Sequence, residues 1–210
     1  ICLDSSIDPF ETSIEGSLPT RVLQVAQNAK KTLLAGVTTI RDMGGIDNID
    51  LEIKNAINSG LILGPRILAS GKLICITGGH GWSIGREVDG VDDIVKAVRE
   101  QIKSGADVIK FIVTGGVMEN ASNPSATEMN EEELVAGIRE AHKFGKKTAG
   151  HAKAAQGIEL ALHAGIDSIE HGTILTDKSI YHMKEKNVPV VFTLSALYNI
   201  EHKLRNFYSK

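Results

Sequence analysis

Cysteine is almost absent from the 210-residue chain, aromatic residues make up only 4% of it, and neither sign of charge dominates. Two cysteines, Cys2 and Cys75, cannot build a disulfide framework, which fits a reducing cytoplasm. Lysine and arginine number 23 against 26 aspartates and glutamates, a net charge of −3 with no basic block. That lacks the footprint of a nucleic-acid binder. No apolar run approaches the roughly 20 residues that span a bilayer, so no membrane partner is expected. The first residues given show neither an initiator Met nor a signal-peptide pattern. The chain opens Ile1-Cys2-Leu3-Asp4 and is expected to be a piece of something longer.

What is present is 42% hydrophobic content and 21 glycines, set singly or in pairs between apolar runs. The organisation is a repeated alternation of amphipathic helix, glycine and short apolar strand. Helices are expected over 18–35, 50–59, 92–104, 130–145, 152–164 and 176–187. Ser17 caps the first, and Asn130 with Glu133 forms a capping box at the fourth. Strands are expected at 37–40, 66–70, 107–113, 147–151, 167–171 and 188–194, six in all. Strands alternating with helices imply right-handed crossovers and a parallel sheet covered on both faces. No linker interrupts the pattern, so one domain is expected over 1–210. The loop 114–129, with Gly115, Gly116, Asn120, Asn123 and Pro124, is long enough for a functional lid. A doubly wound sheet and a barrel both fit the strand count.

Chemistry in parallel α/β folds collects at the carboxyl ends of strands. Lys110 interrupts the apolar strand Asp107-Val108-Ile109-Lys110-Phe111-Ile112-Val113, while His151 closes Thr148-Ala149-Gly150-His151 and His171 closes Ser168-Ile169-Glu170-His171. Lys110 is either a lysine paired with a carboxylate or a desolvated amine whose pKa is lowered. A neutral amine adds to carbon dioxide to give a carbamate, an oxygen ligand for metals. It also adds to a ketone or aldehyde to give a Schiff base. Two strand-end histidines beside the lysine strand favour the metal, because neutral imidazole is the commonest protein metal ligand. His142, His163, His182 and His202 fall on expected helices and read as solvated or partly packed. His80, in Thr77-Gly78-Gly79-His80-Gly81-Trp82, is either a substrate contact or a locally bonded loop residue.

The run Gly36-Val37-Thr38-Thr39-Ile40-Arg41-Asp42-Met43-Gly44-Gly45 resembles the second-strand motif of the amidohydrolase superfamily. The similarity is to its Xaa-Pro dipeptidase (prolidase-like) and imidazolonepropionase-related branch. Gly64-Pro65-Arg66-Ile67, Thr77-Gly78-Gly79-His80-Gly81, Val108-Ile109-Lys110-Phe111, Thr114-Gly115-Gly116-Val117, Gly150-His151-Ala152 and Ser168-Ile169-Glu170-His171-Gly172-Thr173 follow in that branch's order. Each motif alone is weak; the ordered set, over nearly the whole chain, is specific.

The resemblance implies a (β/α)8 TIM-type barrel of the metal-dependent hydrolase kind, here strands two to seven. It implies a pair of divalent cations, usually zinc, with Lys110 carboxylated by carbon dioxide to bridge them and His151 and His171 as ligands. His80 matches a position that contacts the substrate carboxylate. Lys153 stands where relatives often carry Tyr or His, and is taken as substrate-binding. Arg41 and Asp42 belong to the pattern and are read as a structural ion pair. The implied activity is hydrolysis of an amide bond of a small substrate, such as an Xaa-Pro or other dipeptide, through a metal-bound hydroxide. The partner expected is that small molecule, with homo-oligomerisation left open.

The family's His-x-His pair and its last-strand Asp have no counterpart in these residues. A barrel of about 250 residues is not closed by six strands, and exposed edge strands are expected to make the isolated chain poorly soluble. Two alternatives stand beside the hydrolase: a Schiff-base lyase or aldolase using Lys110, and a non-catalytic fragment holding half of a metal site.

Overall fold

The computed structural model describes residues 1–2, 16–116, 123–195 and 198. Asn120 and His202 lie outside the described residues. Helix α1 (Leu18–Leu34) begins where the Ser17 hydroxyl accepts from the Thr20 N–H, with a proline in its first turn. Strand β1 (Thr39–Asp42) leads through a short 3-10 turn to α2 (Ile49–Asn58) and then β2 (Arg66–Ala69). The strands β3 (Ile74–Ile76) and β4 (Arg86–Val88) precede α3 (Val91–Ser104) and β5 (Val108–Ile112). Three more strand–helix steps complete the order: α4 (Glu131–Lys143), β6 (Lys147–Ala152), α5 (Ala155–Ala164), β7 (Ser168–His171), α6 (Asp177–Lys186) and β8 (Val190–Val191). The capping box is present, with the Asn130 side chain accepting from the Glu133 N–H and Glu133 accepting in return from the Asn130 N–H.

All strand pairings are parallel. Strands β1 and β2 pair with each other, and the larger sheet runs β4-β3-β5-β6-β7-β8. The Asp107 N–H donates to the Ala69 carbonyl at 2.8 Å, docking the end of β2 on the start of β5. The six expected strands therefore lie side by side in chain order. A doubly wound sheet reverses direction at a switch point; a sheet wound in one direction curls as a barrel wall does.

The helices cover the outside of that wall. One core joins β5, β6 and β7 to α3, α4 and α5 through Phe111, Ile109, Ile94, Val98, Leu134 and Ile158. A smaller one joins α1 and α2 to β2 through Val25, Ala29, Leu51, Ile53 and Ile67. Gly137 lets α4 approach β5 closely: a Cβ there would sit 2.8 Å from the Phe111 ring. Phe111 is fully buried, and truncating such a residue to alanine costs about 3–5 kcal/mol.

The expected elements differ from the structure in several places, and β1 runs over Thr39–Asp42 rather than 37–40. β3 and β4 add two strands. α5 starts at Ala155 rather than 152, because β6 continues to Ala152 and its pairing with His171. β8 is two residues long rather than seven, since only Val190 and Val191 find partners on β7. Arg41 and Asp42 do not pair, because successive strand residues point to opposite faces. Arg41 turns inward to Glu170, at 2.7 Å, while Asp42 is buried on the other face and accepts from the Gly44 N–H at 3.3 Å.

Candidate active site

Three parallel strands, β5, β6 and β7, lie next to one another, and their register aligns Ile112 with His151 and Ala152 with His171. The lysine and both histidines thus come together at one end of the sheet. Lys110 is 4% exposed, inside a strand buried along its whole length. Burial lowers its pKa from 10.5 to about 8, against the opposing pull of Glu170 and with a smaller push from Arg41. The amine is thereby brought within reach of its neutral form near physiological pH.

His151 and His171 pack edge to face with ring centroids 4.5 Å apart, and His80 lies 4.5 Å from His151 on another side. Burial pushes the pKa of His151 well below the ordinary 6.5, and the positive charge of Lys110 adds to the effect. His171 is lowered to about 3 by the same two causes. Both rings are therefore neutral at pH 7. Nε2 of His151 lies 3.2 Å from the Gly115 carbonyl oxygen. A carbonyl only accepts, so Nε2 carries the proton and Nδ1 keeps a bare lone pair. Nδ1 of His171 lies 2.6 Å from the Thr193 hydroxyl.

The surrounding loops frame this cluster. His80 is buried, and its backbone N–H donates to both oxygens of Glu128, at 3.1 and 2.9 Å. Gly116 lies beneath the His80 ring: a Cβ at that position would fall 2.2 Å from it, so a side chain there would displace the ring. Thr114 bridges to Thr127 across the loop base and accepts, through its hydroxyl, from the Lys153 N–H at 3.0 Å. Lys153 is 7% exposed, and burial lowers its pKa. No carboxylate among the described residues lies within ion-pairing distance of its amine. Its charge bears on both His151 and His171, which places it beside them.

The five residues singled out from the sequence, Lys110, His151, His171, His80 and Lys153, are all at this end of the sheet. Sequence reading missed Thr193 and Glu128, and it named Gly115 only as part of the 114–129 loop and its motif, without its contact to His151. The helix histidines do not join it. His142 is bonded to Asp167, His163 faces Glu131, and His182 is bonded to Glu159. The last two line a cavity of about 360 Å³ between the outer helices.

As a donor set, two neutral imidazoles and a buried amine that can become a carbamate suit a divalent cation. Among the described residues no three His, Cys, Asp or Glu side chains make a metal group by themselves. The lysine oxygen donor exists only after carboxylation.

A model of the amidohydrolase family matches residues 20–208. The ochratoxinase of Aspergillus niger is 32% identical over 199 residues, covering 83% of this chain and 41% of that protein. Its crystal structure superposes with a TM-score of 0.86 at 29% identity, covering 96% of this chain and 52% of the other. A Xaa-Pro dipeptidase with methionine bound in its active site gives a TM-score of 0.83 at 35% identity, covering 87% and 48%. The chain spans about half the length of these relatives, or less.

Proposed function

The chain belongs to the amidohydrolase family, and from that premise we propose that it carries part of a centre hydrolysing an amide bond of a small substrate, an Xaa-Pro or other dipeptide. The observation that carries this reading is the placement of Lys110, His151 and His171 on three adjacent parallel strands, with burial lowering the pKa of each. The family is generally metal-dependent, and zinc is the cation these donors suit best. His151, through Nδ1, and His171 would hold it, together with Lys110 as its carbamate.

Carboxylation of Lys110 is a balanced addition. The neutral amine forms a nitrogen–carbon bond to carbon dioxide and loses one proton to solvent, leaving an anionic oxygen donor. Burial of the amine supports this, because only the unprotonated form has the lone pair to attack. A bound divalent cation polarises a carbonyl oxygen and lowers the pKa of a bound water.

The rest of the work belongs to the chain's own side chains. Lys153, a buried cation without a carboxylate partner among the described residues, offers its charge to a substrate carboxylate. His80, fixed through its backbone by Glu128, lines the same side. Hydrolysis adds water across the carbon–nitrogen bond, and the departing amine gains the proton. The neutral histidines are matched to holding a cation rather than repelling it.

A Schiff-base reaction at Lys110 is the second reading, favoured by the same lowered pKa. It leaves the paired histidines without a role. Borohydride reduction in the presence of a carbonyl substrate separates the two. A trapped adduct on Lys110 supports the lyase, whereas release of amino acid from a dipeptide with no trapped adduct supports the hydrolase.

A further inference from the structure

A threonine hydroxyl has one proton to give. That of Thr193 is donated to the Phe192 carbonyl at 2.8 Å, while Nδ1 of His171 sits 2.6 Å from the same oxygen. With its proton committed, Thr193 Oγ1 accepts, so the neutral His171 ring must carry its proton on Nδ1. Nε2 then presents a bare lone pair. The sheet register makes the contact possible: Glu170 pairs with Val191, so the next residues along β7 and past β8 continue side by side.

Both ends of the bond are held in the left-handed region, His171 at φ 76° and Thr193 at φ 49°. Such a conformation costs a non-glycine residue on the order of 1–3 kcal/mol and is least tolerated by a β-branched one. Two strained residues joined by one short hydrogen bond indicate that the fold holds this pair in place.

We propose that Thr193 is a positioning residue that fixes the tautomer and orientation of His171, so that Nε2 is the atom offered to a cation. The proposal rests on the reading of His171 as a ligand. Together with the Gly115 carbonyl on His151, it gives the two rings opposite tautomers, each with one nitrogen free.

The test is nitrogen-15 NMR of the histidine rings at pH 7 in the metal-free full chain, combined with zinc titration against a competing chelator. In the unsubstituted protein His171 should show a protonated Nδ1 and an unprotonated Nε2. Thr193→Val should bring both nitrogens toward averaged frequencies and weaken zinc binding about 10–100-fold. Thr193→Ser should restore both. An Nε2-protonated ring in the unsubstituted protein overturns the proposal, and that spectrum decides even if the valine variant does not fold. A valine variant with unchanged spectrum and affinity also overturns it, as does a serine variant that falls equally. The expected spectrum in a protein that hydrolyses no amide would refute the proposed function and leave Thr193's role standing.

Discussion

Arg41 on β1 donates from Nη2 to Oε1 of Glu170 on β7 at 2.7 Å, although β2, β5 and β6 separate their strands in the wall. Its Nη1 also reaches the Ser168 hydroxyl at 3.1 Å, and that hydroxyl donates to the same glutamate oxygen. A chord of this length crosses the concave side only if the sheet is curled. The pair therefore ties the first described strand to the site strands and neutralises the carboxylate nearest Lys110.

Removing the arginine should leave that buried carboxylate without its ion-pair partner, held by the Ser168 hydroxyl alone among the hydrogen bonds described. Breaking a buried pair costs about 3–5 kcal/mol, and the partial exposure of Arg41 puts Arg41→Met near the lower figure of about 3 kcal/mol. The double substitution Arg41→Met with Glu170→Met should recover most of the loss. Urea unfolding midpoints measure both. A loss below about 0.5 kcal/mol in the single variant would show that the chord is not holding the wall together.

Stability of the metal-free protein should rise with pH through the alkaline range. Folded Lys110 releases its proton near pH 8, whereas the unfolded lysine keeps it to about 10.5, so the unfolded chain binds more protons in between. The rise from this residue is about 3 kcal/mol over that window. Unfolding curves at stepped pH should show it in the parent chain, with Lys110→Met lacking it. A parent and variant that track each other would place the lysine in water.

On the acid side the sign is set by the histidines. The folded rings of His151 and His171 resist protonation while the unfolded rings take protons near pH 6.5, so stability falls as pH drops from about 6.5 toward 3. Each contributes about 1.4 kcal/mol per pH unit in the range where only the unfolded form is charged. His171→Asn should shallow the acid slope. An unchanged slope would mean that its ring is already charged in the fold.

Lys153→Met removes a buried cation that has no carboxylate partner among the described residues, so the folded protein should be no less stable for it. A hydrogen bond to a charged group is worth about 1.5–3 kcal/mol. The variant should therefore lose about 10–100-fold in kcat/KM on a dipeptide and far less on the corresponding dipeptide amide. Equal losses on both substrates would remove Lys153 from carboxylate recognition.

The sequence made the alternation legible because α1, α4 and α6 open on side-chain caps and strands such as β5 carry an apolar run. Lys110 stood out as a lysine inside an apolar strand, and His151 and His171 as histidines closing successive strands. β4 was hidden because Arg86-Glu87-Val88, an edge strand, has no apolar run and pairs only with β3. The partners of Arg41 and of His171 were invisible for a different reason. Glu170 and Thr193 are brought in by tertiary register, and nothing in the neighbouring residues announces them. His80 was visible only as a glycine-flanked histidine, and the carboxylate that fixes it lies 48 positions away.

The central claim is that Lys110, His151 and His171 hold the cations of an amide hydrolase. The most direct test is to measure zinc content and dipeptide hydrolysis in the same preparations of the intact protein, before and after chelation, and in Lys110→Ala. The account predicts about two zinc ions per intact protein, with metal and activity lost together on chelation and in the variant. Full activity after exhaustive chelation, or in Lys110→Ala, would contradict it.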